Sequence, residues 1–176
     1  MDLKTYECLK DLHDRHGPRE FGKICQKFLA VAFLDLGFRH VVERGVQGVD
    51  LDVAADPDCP GGERYAIEVK TTVGKSVHFG EKDVDGLKSR GRDGYRPVLA
   101  ALQVAPLSRW HLARAESLKA GDYPLDSLRP YGLKELTERI EPLFAQAVAQ
   151  YYPGACERGQ EYLDEVLRGK GGRAEG

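Results

Sequence analysis

The stretch that most constrains this chain runs from Gly48 to Thr72. Gly48-Val49-Asp50-Leu51-Asp52-Val53 alternates apolar and polar residues, and so does Tyr65-Ala66-Ile67-Glu68-Val69-Lys70-Thr71-Thr72. That is the period of strands with one face in a core. Val49, Leu51 and Val53 share a face of the first strand, leaving Asp50 and Asp52 on the other; in the second, Tyr65, Ile67 and Val69 oppose Glu68 and Lys70. The segment between them, Asp56-Pro57-Asp58-Cys59-Pro60-Gly61-Gly62, reads as a turn. A hairpin closed there brings Asp50, Glu68 and Lys70 onto one surface of neighbouring strands. Two carboxylates with an ammonium beside them suit a hard cation. Asp52 lies one pleat further on, about 6–7 Å from Asp50, and is expected behind the site or facing solvent. The hairpin alone equally fits a half-solvated pair of strands with a cross-strand ion pair, worth about 0.2–1 kcal/mol.

The rest of the chain narrows the choice. At 176 residues, with 41% hydrophobic and 31% charged residues, it has the composition of a soluble globular domain with an appendage. No apolar run approaches membrane-spanning length, since Phe28 to Leu36 is short and interrupted by Asp35. The start, Met1-Asp2-Leu3-Lys4, lacks the order of a signal peptide, so a cytoplasmic protein is expected. Cys8, Cys25, Cys59 and Cys156 form no C-x-x-C pair, which speaks against a zinc or iron–sulfur site and for free thiols. The formal net charge of -2 advertises no global attraction to nucleic acid. Locally, Lys70, Lys75, Lys82, Lys88, Arg90, Arg92 and Arg96 make a basic run that either contacts phosphates or is simply a solvated face.

Leu3 to His16 fits a short amphipathic helix, broken at Gly17-Pro18. From Pro18 to Leu36 a wide stripe that includes Phe21, Ile24, Cys25, Phe28, Leu29 and Ala32 predicts a second helix, ended by Gly37. Gln26 lies at the border of this stripe, one turn beyond Gly22, where the backbone can approach a sheet. Phe38 to Glu43 reads as a strand, Ser76 to Phe79 as an extended piece and Glu81 to Ser89 as a helix. Pro97 to Val104 reads as a strand covered on both faces, and Trp110 to Ala113 as the final strand. The order predicts a mixed sheet flanked by helices. Beyond it, Tyr131 to Tyr151 and Ala155 to Leu167 carry apolar residues at helical spacing, suited either to covering an edge of the domain or to dimerisation. Residues 1–17 are thus an N-terminal helix, 18–114 the core, 115–168 a helical extension and 169–176 a flexible tail.

The ordered set Gly37-Phe38, Gly48-Val49-Asp50-Leu51, Ile67-Glu68-Val69-Lys70-Thr71, Pro97-Val98-Leu99-Ala100 and Trp110-His111-Leu112 resembles the PD-(D/E)XK, or restriction-endonuclease-like, nucleases. Within that superfamily it is most similar to the archaeal Holliday junction resolvases, over Pro18 to Arg114. The resemblance implies an α/β fold with a restriction-endonuclease-like mixed β-sheet flanked by helices, here with a helical C-terminal extension. It implies a Mg²⁺-dependent (or Mn²⁺-dependent) DNA endonuclease, with Asp50, Glu68 and the Val69 carbonyl as metal ligands. Lys70 would be the cation that steadies the phosphate and positions the attacking water. Lys75, Lys88, Arg90 and Arg92 would contact DNA phosphates, and a homodimer would supply two sites for two strands.

Two features depart from the resolvase pattern. Gln26 stands where such nucleases often carry a helical Glu, with Glu20 as the substitute, so Gln26→Glu is expected to preserve or raise activity. The segment beyond Arg114 is also absent from the small resolvases. Three readings stay open: a junction-type nuclease, a restriction-type or other repair nuclease of linear duplex, and a non-catalytic nucleic-acid-binding protein on the same fold.

Overall fold

A computed structural model describes residues 1–45, 48–59 and 61–174. Pro60 of the expected turn and Glu175–Gly176 of the expected tail lie outside these residues. The first helix, α1, spans Leu3–Asp35, with Asp2 accepting the Thr5 N–H as its N-cap. Gly17, at φ 75° and ψ 168°, interrupts the helical backbone and Pro18 opens its second half, so the two expected helices form one kinked rod. Its second half is almost wholly buried from Phe21 to Phe33. The Phe38 N–H closes the C-terminus on the Phe33 carbonyl.

Strands β1 (His40–Glu43), β2 (Leu51–Ala54) and β3 (Arg64–Thr72) follow, then β4 (Ser76–Phe79), helix α2 (Glu81–Arg92), β5 (Arg96–Gln103) and β6 (Trp110–Arg114). The hairpin forms as its alternation requires. β2 and β3 are antiparallel with Leu51 opposite Ile67 and Val53 opposite Tyr65. The Ala55 N–H bonds the Glu63 carbonyl at the neck of the turn. β5 is parallel to β3, and β6 returns antiparallel to β5.

Leu51, Val53, Tyr65, Ile67, Val98, Ala100 and Leu102 face α1 and the C-terminal helices in one core. The alternate residues Ala66, Leu99 and Ala101 face α2 in a second core. Burial on both faces explains the nearly unbroken apolar run of β5.

Several boundaries differ from the sequence reading. Trp110–Arg114 is not the last strand: β7 (Gly121–Pro124) pairs with β4 in a separate two-stranded sheet, and a 3-10 turn over Leu125–Tyr131 completes the second core with Leu125 and Leu128. The core therefore runs past residue 114. Helix α3 spans Lys134–Arg158 and α4 spans Gln160–Gly169, meeting at Gly159 rather than near Ala155. The tail is not free over its described part, because β8 (Arg173–Ala174) pairs parallel with β1 and closes a sheet ordered β6-β5-β3-β2-β1-β8. The stripes of α3 and α4, including Ile140, Phe144, Val148 and Leu163, are buried in the core with α1. They cover this chain's own helix and are not a self-complementary outer surface. Among the described residues, no helix is long and apolar enough to cross a membrane.

Candidate active site

The β2–β3 pairing register ends at Leu51 opposite Ile67, so β3 runs on past its partner and leaves a notch in the sheet. The Asp50 N–H makes the last backbone bond, to the Ile67 carbonyl, at 2.9 Å. Its side chain then takes over the role of a strand, Oδ2 accepting the Val69 N–H at 2.9 Å. Because N–H and C=O of one strand residue point to the same edge, the Val69 carbonyl also faces the notch.

Glu68 and Lys70 stand on the α2 face of β3. Lys70 Nζ donates to Glu68 Oε1 at 2.7 Å, and the Glu68 side chain is 8% exposed. Burial and the neighbouring Asp50 charge push the Glu68 carboxyl up to about 7, against the pull of Lys70. Lys70 also reaches Asp83 Oδ2 at 2.7 Å. Burial alone would lower its ammonium, but Glu68 and Asp83 outweigh that and raise it above its ordinary value. Asp83 itself is partly buried; Lys70 and the Gly80 N–H nevertheless hold its carboxyl below the ordinary value. The expected trio of Asp50, Glu68 and Lys70 is thus brought together at one notch.

Gln26 reaches the same place from α1. Lys23 Nζ bonds Gln26 Oε1 at 2.9 Å and Asp50 Oδ1 at 3.1 Å. Gln26 Nε2 points to Glu43 Oε1 at 3.2 Å and to the Asp50 carbonyl at 3.4 Å. Glu20 does not take part: its carboxylate receives the Gln160 N–H at 3.1 Å and the Gln160 side-chain amide at 2.9 Å, and so anchors the start of α4.

Asp52 is neither solvent-facing nor part of the notch. At 1% exposure it accepts two bonds from Arg90, at 3.2 and 2.7 Å, and lies 3.3 Å from Arg44. Arg90 is in turn engaged by Asp93 and stacked 4.2 Å above the Tyr95 ring. This corrects the reading of Arg90 as a phosphate contact: its guanidinium braces α2 against the hairpin. Lys75, in the turn before β4, and Lys88 and Arg92 on α2 are exposed.

Five site residues escaped the sequence reading. Lys23 carried a signal, since it precedes Gln26 by three residues on a helix. So did Asp83, which follows Gly80 at capping distance and accepts its N–H at 2.9 Å. Glu43, Lys27 and Asp164 carried none, because strand pairing and the docking of α4 bring them in. Lys27 is 7% exposed and bonds Glu43 at 2.8 Å and Asp164 at 2.5 Å. Beside Lys23 and Gln26 opens a polar cleft of about 770 Å³, walled by Glu43, Arg44, Arg168 and Arg173.

Two crowded carboxylates and a backbone carbonyl form an all-oxygen donor set. Among the described residues no group of three or more His, Cys, Asp or Glu side chains could hold a metal ion. A pair suffices for Mg²⁺, which keeps several of its waters. Glu68 is raised first by burial and then by the Asp50 charge, and a cation shared by the two carboxylates would relieve that second part. The residues fit that ion.

No protein-family model matches this chain, and no curated protein matches it. Among solved structures, it is similar to Hjc of Archaeoglobus fulgidus, a Holliday junction resolvase from an archaeal hyperthermophile. The TM-score is 0.53, with 17% identity, over 66% of this chain and 95% of that one. At that identity the likeness shows the fold: a mixed α/β sheet flanked by helices, like that of the resolvase.

Proposed function

We propose that this chain is a divalent-metal-dependent DNA endonuclease of the PD-(D/E)XK kind, acting on branched DNA. The observation that carries the reading is the notch itself, where Asp50, Glu68 and Lys70 converge at the open edge of β3. The fold shared with a Holliday junction resolvase supports the substrate class.

Asp50, Glu68 and the Val69 carbonyl would hold Mg²⁺, with Mn²⁺ as a substitute; when bound, the ion supplies Lewis acidity to the scissile phosphate and to water. Lys70 stays protonated between Glu68 and Asp83, so its role is electrostatic. An ammonium has three N–H donors; two are taken by these carboxylates, and the third remains for a phosphate oxygen as charge develops. Exposed Lys75, Lys88 and Arg92 supply sequence-independent phosphate contacts. Cutting two strands requires two sites, so the reading includes a homodimer. Its interface lies away from the buried stripes of α3 and α4.

The test offers the protein, with Mg²⁺ or with EDTA, a four-way junction, a matched linear duplex, single strands and a flap. Paired symmetric nicks confined to the junction support the proposal. Cleavage of the duplex at one recurrent sequence replaces it with a restriction-type nuclease. Binding of DNA without cleavage, and without Mn²⁺ uptake, replaces it with a non-catalytic binding protein.

A further inference from the structure

We propose that Glu43 is a positioning residue that fixes the orientation of the Gln26 amide, so that the two side chains act as one unit braced by the C-terminal helix α4. The proposal rests on the reading of the notch as a metal-dependent nuclease site.

The Gln26 amide lies between a group that can only donate and one that can only accept. Lys23 Nζ is 2.9 Å from Oε1, and Glu43 Oε1 is 3.2 Å from Nε2. The Asp50 carbonyl, 3.4 Å from Nε2, is a second acceptor on the same side. Turned over, the amide would set its NH₂ against an ammonium and its oxygen against a carboxylate. One orientation survives, and it aims the Gln26 oxygen at Lys23, which itself bonds Asp50.

Glu43 cannot swing away from this task. Lys27 holds both of its oxygens, at 2.9 and 2.8 Å, and is itself held by Asp164 of α4. Gln26 and Lys27 are both buried, so the middle of this relay is sheltered from solvent competition, while its ends, Lys23 and Asp164, reach solvent. An unbroken hydrogen-bonded path therefore runs from Asp164 through Lys27, Glu43, Gln26 and Lys23 to Asp50. The C-terminal extension is thereby joined to the site.

The arrangement explains a glutamine on α1. A carboxylate at position 26 would stand against that of Glu43 in a buried setting, where like charges repel strongly. The sequence resemblance gave the opposite expectation, that Gln26→Glu preserves or raises activity. Here the carboxylate of the pair is supplied by β1, and the neutral oxygen by α1.

The experiment titrates the full-length protein with Mn²⁺ by calorimetry and measures Mg²⁺-dependent DNA cleavage and thermal melting in parallel. The variants are Gln26→Glu, Glu43→Gln and the exchanged pair Gln26→Glu/Glu43→Gln. Each single change is expected to weaken Mn²⁺ binding at least threefold and cut kcat about tenfold, and the exchange to return both to within threefold of the parent. Should a single variant melt early, Asp164→Asn at the partly exposed end of the path reads the same relay, lowering kcat with KM unchanged. Mn²⁺ binding by the parent with tighter binding by Gln26→Glu alone, and no rescue by the exchange, overturns the unit while leaving the nuclease reading intact. No Mn²⁺ binding by the parent overturns both.

Discussion

The Lys70 ammonium donates to the Asp83 carboxylate at 2.7 Å, tying the middle of β3 to the first turn of α2. Asp83 also accepts the Gly80 N–H at the start of that helix. One side chain thus caps a helix and holds the cation of the site. Asp83→Ala is expected to cost about 1 kcal/mol through the lost cap. It should also lower cleavage about tenfold, because Lys70 is then placed by Glu68 alone. Thermal melting and single-turnover cleavage measure the two effects separately, and an unchanged cleavage rate would remove Asp83 from the site.

A direct test of the notch uses two isosteric changes and one truncation. Asp50→Asn, Glu68→Gln and Lys70→Ala are each expected to lose at least a hundredfold in cleavage, of the order seen when one transition-state contact is removed. Each should keep a cooperative melt. Full activity in EDTA, or in Lys70→Ala, contradicts the mechanism.

The hairpin and its trio were legible because period-2 alternation is a local signal and each strand carries its own. The kink at Gly17-Pro18 was legible for the same reason. What the sequence hid was mostly long-range. Asp52 looks identical to Asp50 by alternation, yet Arg90, 38 residues away, claims it. Glu43 and Asp164 become site neighbours only when β1 pairs with β2 and α4 docks on α1. The apolar stripes of α3 and α4 were visible, but a stripe does not say which surface covers it.

The raised Glu68 carboxyl gives a pH signature in the metal-free protein. Its folded value of about 7 lies above the ordinary 4.5, so between these the native state keeps a proton that the unfolded chain has released. The stability from this group is fully present below pH 4.5 and lost as pH rises through 7. The loss is on the order of 3 kcal/mol. Asp83, held low, acts below its ordinary 3.8 and stays outside this window. His111, held low by burial, adds stability as pH rises to its ordinary 6.5 and so opposes Glu68 below that point. The melting temperature of the parent in EDTA, taken relative to that of Glu68→Gln, should therefore fall from pH 5 to pH 8. Millimolar Mg²⁺ should restore stability at the alkaline end. A slope identical in Glu68→Gln assigns the effect to another group.

Gly86 of α2 lies on the backbone of Gly48, just before the hairpin. A Cβ at Gly86 would come within 2.8 Å of Gly48 backbone atoms, and Gly48 adopts φ +94°. On an unobstructed helix, replacing Gly by Ala gains about 1 kcal/mol. Here the contact is backbone against backbone and cannot yield, so Gly86→Ala is expected to destabilise by about 1–3 kcal/mol. It should also lower cleavage, because it parts the helix carrying Asp83 from the loop leading to Asp50. A stabilised Gly86→Ala protein contradicts the close contact.

The two arginines of α2 offer the sharpest separation of structural from DNA-binding roles. Arg90 is bound to the nearly inaccessible Asp52, whereas Arg92, two residues on, is exposed. Removing Arg90 leaves a buried carboxylate with Arg44 as its remaining cation, so Arg90→Ala should cost about 3–5 kcal/mol. Its effect on DNA affinity should be small once the protein is folded. Arg92→Ala, and likewise Lys75→Ala and Lys88→Ala, should leave the melt within about 0.5 kcal/mol of the parent. Each should weaken DNA binding uniformly across sequences and reduce the slope of log affinity against log salt by about 1. Fluorescence anisotropy on a labelled junction in EDTA, from 50 to 200 mM salt, reads affinity without cleavage. If Arg90→Ala lowers the salt slope while keeping the parent's melting temperature, its guanidinium contacts phosphate after all, and the ion pair with Asp52 opens to meet DNA.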